Sequence, residues 1–84
     1  MLSLRQDISI VAVEDGMVLL DERSGRYYQV NGSGAVVLGV LLEGGGEDEA
    51  ADALTERYDV CRERALADAA EIIRRLRTTG LVTP

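Results

Sequence analysis

The hydrophobic pattern of this chain changes period once, at Asn31-Gly32-Ser33-Gly34, and that break divides it into a strand half and a helix half. Before the break, residues 8–13 are β-branched and alternate around small residues, which reads as a strand. Glu14-Asp15-Gly16 is a turn, because glycine tolerates the positive φ that tight hairpins need. Residues 17–20 form a second apolar run, Glu22-Arg23-Ser24-Gly25 a second turn, and residues 26–30 a third short strand carrying two tyrosines. Three strands joined by two short turns predict an antiparallel meander.

After the break the period is helical. Residues 35–43 are apolar nearly all round, so this first helix is expected to be central and buried, with Asn31 or Ser33 capping its start. Gly44-Gly45-Gly46 stops it. Glu47-Asp48-Glu49 opens a second helix with acid at its positive end, and Ala50, Ala51, Leu54 and Tyr58 form its apolar stripe. Asp59 is the expected cap of a third helix that runs to about Thr79, where Gly80 ends it and lets Leu81 and Val82 return to the core. With no internal repeat, low-complexity segment or linker, residues 1–84 are expected to form a single domain. The order predicts an α+β, winged-helix-like fold, a three-stranded antiparallel sheet followed by three helices.

Composition narrows the chemistry. The chain has no His, no Phe, no Trp and no Lys, a net charge of -6, and one cysteine. Histidine-based acid–base chemistry and His-containing metal sites are excluded, and Cys61 has no partner for an internal disulfide. Cys61 is also the only reasonable nucleophile and lacks a histidine base, so no catalysis, cofactor or metal is expected. The longest strongly apolar run, residues 36–42, is too short to span a bilayer, and the start Met1-Leu-Ser-Leu-Arg5 does not read as a signal peptide. A soluble cytoplasmic protein without a membrane or nucleic-acid partner is the expectation, since nucleic acid calls for a basic footprint.

Two features stand out from the ordinary pattern. On the third helix, Leu66, Ala70, Ile73 and Leu76 or Arg77 make one apolar line, and Ala65, Ala69, Ile72 and Leu76 make a second beside it. Such a wide stripe means either a helix wedged between two elements or a second line that faces a groove, with the small Ala65 and Ala69 as its floor and Asp68 and Arg75 at its border. The third strand, Tyr27-Tyr28-Gln29-Val30, falls at the edge of the meander and holds no Pro, Lys or carboxylate to blunt it. It either offers its backbone to an extended peptide or is covered by another part of the chain.

The stretch Gly25-Arg26-Tyr27-Tyr28-Gln29-Val30-Asn31-Gly32-Ser33-Gly34, the helix ending in Glu43-Gly44, the pair Tyr58-Asp59 and the closing Leu76-Arg77-Thr78-Thr79-Gly80-Leu81-Val82 together resemble the PqqD-like family of peptide-recognition elements. The resemblance runs from about Ile8 to Val82 and is greatest for the free-standing leader-binding proteins of lasso-peptide pathways. It departs in the first helix, where many relatives carry a large aromatic and this chain has Val36-Val37-Leu38. The resemblance implies a non-catalytic protein that binds a precursor's leader peptide and presents the precursor to a separate cysteine leader peptidase. It implies a leader added as a strand along the backbone of Tyr27, Tyr28, Gln29 and Val30. Ala65, Ala69, Ile72 and Leu76 would receive its apolar side chains, with Asp68 and Arg75 flanking.

Two alternatives remain at this stage. A relative could serve another modified-peptide pathway as the chaperone of a radical enzyme. A winged helix could also bind DNA through Arg62, Arg64, Arg74, Arg75 and Arg77, although Glu63, Asp68 and Glu71 interleave with them. An open edge strand also invites homodimerisation in the absence of peptide.

Overall fold

A computed structural model describes residues 3–83. Its elements in order are β1 (Ser3–Leu4), β2 (Ile8–Val13), β3 (Gly16–Asp21), β4 (Arg26–Asn31), α1 (Ser33–Leu42), α2 (Glu47–Arg57), α3 (Arg62–Thr79) and β5 (Val82–Thr83). The three expected strands are β2, β3 and β4, which form an antiparallel sheet in that order with β3 in the middle. The three expected helices follow, so the predicted α+β arrangement is the observed one. The sequence reading missed the two short strands. β1 pairs with β5 in a separate antiparallel ribbon, Leu4 opposite Val82, and this ties the start of the chain to the end of α3.

The middle strand anchors the sheet to the helices. Leu19 has no exposed surface and packs with Val37, Leu38 and Leu41 of α1. Fully burying such side chains contributes roughly 1.5–3 kcal/mol each. The β4-to-α1 junction depends on glycine. Gly32, not Asn31 or Ser33, occupies the cap position, at φ 57° and ψ -135°, and no side chain caps the helix. A side chain is strained in that region of conformational space, whereas glycine is at ease there. At Gly34 an added Cβ would come 3.2 Å from Cγ1 of Val30, so the small residue lets β4 lie close against α1.

The later helix ends also differ in detail. The Gly46 N–H donates to the Glu49 carboxylate, 2.6 Å, at the start of α2. Tyr58 is not part of the α2 stripe. The helix ends at Arg57 and Tyr58 turns into extended backbone, half-exposed, while Ala50, Ala51 and Leu54 are buried as expected. The residue before α3 is Cys61 rather than Asp59, again without a side-chain cap. Gly80, at φ 76°, closes α3 in the left-handed conformation, and Leu81 and Val82 are buried in the core.

The two apolar lines of α3 are assigned differently from expectation. The buried line is Ala65, Ala69, Ile73 and Leu76; Leu66 is half-buried, and Ala70 and Arg77 are exposed. The physical reason is the size of the side chains. Ala65 and Ala69 are fully buried, as are Ala50 and Ala51 of the contacting helix α2, so the small-residue line belongs to the core rather than to a groove floor.

Candidate functional site

One geometric question decides whether β4 can accept another strand: which of its main-chain groups point away from β3. In an antiparallel pair the direction alternates residue by residue. The phase is fixed by the Glu22 N–H, which donates to the Asp7 carbonyl at 2.9 Å, so Glu22, Leu20, Val18 and Gly16 turn their backbones toward β2. Met17, Leu19 and Asp21 therefore face β4, where they pair with Val30, Tyr28 and Arg26. The remaining residues, Tyr27, Gln29 and Asn31, direct their N–H and C=O groups outward from the sheet edge.

The side chains follow the complementary alternation. Tyr28 and Val30 lie on the core face with Leu19, half-buried. The Tyr27 side chain lies on the opposite face and is 72 % exposed. Of the four β4 residues predicted for the site, Tyr28, Gln29 and Val30 line the cleft described next. Tyr27 brings its backbone to the edge but directs its ring elsewhere.

Beside this edge runs a cleft of about 380 Å³ between β4 and α3. Its walls are Tyr28, Gln29 and Val30 on one side and Ile72, Arg75, Leu76 and Thr79 on the other, with Ser33, Gly34 and Leu81 between them. Six of the ten predicted site residues thus meet in one place. An adjoining hollow of about 260 Å³ shares Ser33 and extends to Leu54, Tyr58, Val60 and Asp68, so Asp68 lies further along rather than in the cleft itself. Ala65 and Ala69 have no exposed surface and cannot receive a ligand in this conformation, which corrects their assignment. Sequence reasoning missed Ser33, Gly34, Thr79 and Leu81 as lining residues. The glycine-rich break before α1 was the available signal, since close approach of strand and helix needs a small residue there.

The cations of α3 are largely neutralised by neighbouring acids. Arg62 pairs with Asp52 and Asp48 of α2, and Arg64 with Asp68 at 3.5 Å. Arg74 and Arg75 both pair with Glu71, at 2.6 and 3.2 Å. Hydrogen bonding from Arg74 holds the Glu71 carboxyl below its usual range, as expected for an acid that stays charged beside them. These four arginines of α3 are thus interleaved with acids, in a chain of net charge -6. Among the described residues no cluster of potential ligands is arranged to hold a metal ion, and no helix is long and apolar enough to cross a membrane.

Comparison with known proteins identifies the family and matches the fold. Residues 16–82 match the family described as Coenzyme PQQ synthesis protein D (PqqD). Two solved structures superpose over nearly the whole chain. The first is a lasso peptide synthetase B1 complexed with the leader peptide, with a TM-score of 0.89 and 38 % identity, covering 99 % of this chain and 98 % of that one. The second is TbiB1 in complex with the TbiA(beta) leader peptide, with a TM-score of 0.83 and 25 % identity, covering 94 % of this chain and 92 % of that one. No curated protein sequence gives a significant match.

Proposed function

The chain belongs to the PqqD family, and we propose that it is a non-catalytic protein that binds the leader segment of a ribosomally made precursor peptide in lasso-peptide biosynthesis. The observation that carries this reading is the outward-facing backbone of Tyr27, Gln29 and Asn31 beside the cleft to α3. The leader adds as a strand antiparallel to β4, and main-chain hydrogen bonds supply affinity without reading sequence. Selectivity comes from leader side chains that turn into the cleft against Ile72 and Leu76, with Arg75 at the rim. Antiparallel pairing places the N-terminal end of the bound segment near Asn31 and its C-terminal end near Arg26, where the precursor leaves toward its processing enzyme.

That enzyme is a separate cysteine leader peptidase, to which the bound precursor is delivered. A radical enzyme of another modified-peptide pathway is the second reading, favoured by the family's description as a coenzyme PQQ synthesis protein. Binding of the leader is common to both, and the client enzyme captured by the protein–leader complex separates them.

The test is a titration with a fluorescently labelled synthetic leader taken from the precursor encoded beside this chain. Saturable binding at micromolar affinity or tighter, about -8 kcal/mol, is expected. A folded protein that gives no saturable binding overturns the reading.

A further inference from the structure

The cleft between β4 and α3 is held differently at its two ends. α3 runs antiparallel to β4, since Asp68 shares a hollow with Gly32 whereas Leu76, Thr79 and Leu81 share the cleft with Tyr28. At the Asn31 end the chain itself passes from β4 through Gly32 into α1, and α1 packs against both β4 and α3. At the other end the start of β4 and the end of α3 are far apart in sequence and are joined through a third segment. The ribbon of β1 with β5 has two residues on each strand, and a two-stranded ribbon is marginal by itself. Arg5, the residue after β1, bonds in both directions. Its N–H donates to the carbonyl of Leu81, a cleft residue, at 3.1 Å. Its guanidinium lies 2.9 Å from the Asp21 carboxylate and 3.1 Å from that of Asp7. Asp21 in turn accepts the Arg23 and Ser24 N–H groups of the turn that leads into β4, and it pairs across the sheet with Arg26. The Asp21 side chain is only 10 % exposed, so this ion pair is shielded from the water that weakens a surface one.

We propose that Arg5 is a positioning residue for the leader site, tying the end of α3 to the β3–β4 turn and so fixing the width of the cleft where the bound leader leaves it. The inference rests on the leader-binding reading and deepens it. Strand addition gains most from a wall that is already in place, because ordering a loose wall on binding subtracts from affinity. Arginine suits the position because its planar fork reaches two carboxylates at once, whereas a lysine ammonium is a single point charge. Asp21→Asn keeps an oxygen that accepts from Arg5, so it leaves the tie in place.

The test is a titration of the parent and of Arg5→Met with three labelled synthetic leaders taken from the precursor encoded beside this chain. One is the full leader, one is trimmed at its C-terminal end to stop opposite Gln29, and one is trimmed at its N-terminal end to start there. Arg5→Met keeps the N–H bond to Leu81 and loses the tie to the turn. It should weaken binding of the full leader about fivefold or more, chiefly through faster dissociation. The leader trimmed at its N-terminal end should lose the same factor. The leader trimmed at its C-terminal end should bind parent and variant alike, since it stops short of the end that Arg5 fixes. Arg5→Lys returns a charge to Asp21 and should recover part of the loss. If Arg5→Met does not fold, adding Asp21→Asn removes the uncompensated carboxylate, and the double variant gives the same comparison. Equal losses for all three leaders overturn the inference, because Arg5 would then act on stability alone. So does an unchanged affinity for the full leader. A parent that binds none of the leaders overturns the leader-binding reading and this inference with it, so the behaviour of the parent tells the two failures apart.

Discussion

The two edges of one small sheet teach different lessons about what an exposed strand is for. Both β2 and β4 turn main-chain groups away from β3 every second residue, and neither contains a proline. They differ in what stands beside them. β4 faces α3 across a cleft whose lining mixes backbone, apolar side chains and an arginine, so an arriving strand finds pockets as well as hydrogen bonds. β2 faces open space and offers apolar residues on both sides of an unshielded backbone. Unpaired backbone alone gives affinity without choice. A wall beside it would turn affinity into selection, which is the role the proposed function gives to α3.

The largest expected effects come from proline substitutions in β4, because only one of the two backbone directions holds the protein together. Tyr28→Pro removes a bond to Leu19, leaves that carbonyl without its partner and deletes half-buried aromatic packing. It should destabilise by about 2–4 kcal/mol, read from urea unfolding. Gln29→Pro, one residue on, removes only an outward N–H, as edge strands tolerate. It should stay within about 1 kcal/mol of the parent in stability yet lose tenfold or more in leader affinity. If the two variants behave alike, the backbone phase assigned here is wrong.

The next effects concern the wall. Ile72→Asp places a carboxylate in the cleft at a half-buried site, so leader affinity should drop by more than tenfold, about 1.4 kcal/mol or more, in a protein that still folds. Ala69→Leu, on the adjacent line of the same helix, overfills the α2–α3 seam and should cost about 1–3 kcal/mol of stability. Its folded fraction should bind leader normally. Tyr27→Ala should change both quantities little, within about 0.5 kcal/mol, because the ring lies on the exposed face and the backbone that pairs is unchanged. A large loss of leader binding in that last variant would move the site from the edge to the outer face of the sheet.

Much of this division was legible in the sequence, for reasons that particular residues make clear. The strand runs, their turns and the helix stops at Gly44 and Gly80 follow from local chemistry, and the structure places them close to expectation. The unblunted edge at Tyr27 to Val30 was readable because its composition lacks every usual device. The face of α3 was not readable. Ala65 and Ala69 are alike as groove floor and as core, and the choice depends on how another helix, α2, packs against α3. The cap at Gly32 was hidden because Asn31 and Ser33 are better caps by propensity, whereas the close approach of Val30 to Gly34 demanded a path only glycine follows. The β1–β5 ribbon joins residues almost a full chain length apart in two-residue strands, too short to leave a periodic signal.

The smallest expected effect comes from the turn that ends the middle strand. Asp21 ends the middle strand and is nearly buried. Its carboxylate accepts the Arg23 and Ser24 N–H groups and lies 2.9 Å from the Arg5 guanidinium, which also contacts Asp7 at 3.1 Å. Burial pushes this carboxyl up, but Arg5 and the hydrogen bonds from Ser24 and Arg23 outweigh it and hold the group below its ordinary value of 3.8. A carboxyl depressed in the folded state protonates first in the unfolded chain. Its contribution to stability is therefore complete above that ordinary value and is lost as pH falls through the lower folded value. Asp21→Asn lacks that contribution at every pH, so its unfolding midpoint in urea should fall less than the parent's between about pH 5 and pH 2. Glu71, also depressed, titrates in both proteins and cancels in the comparison. Above pH 5 the variant should retain leader binding. Loss of binding in a folded variant would show that the turn held by Asp21 sets the geometry of the β4 edge.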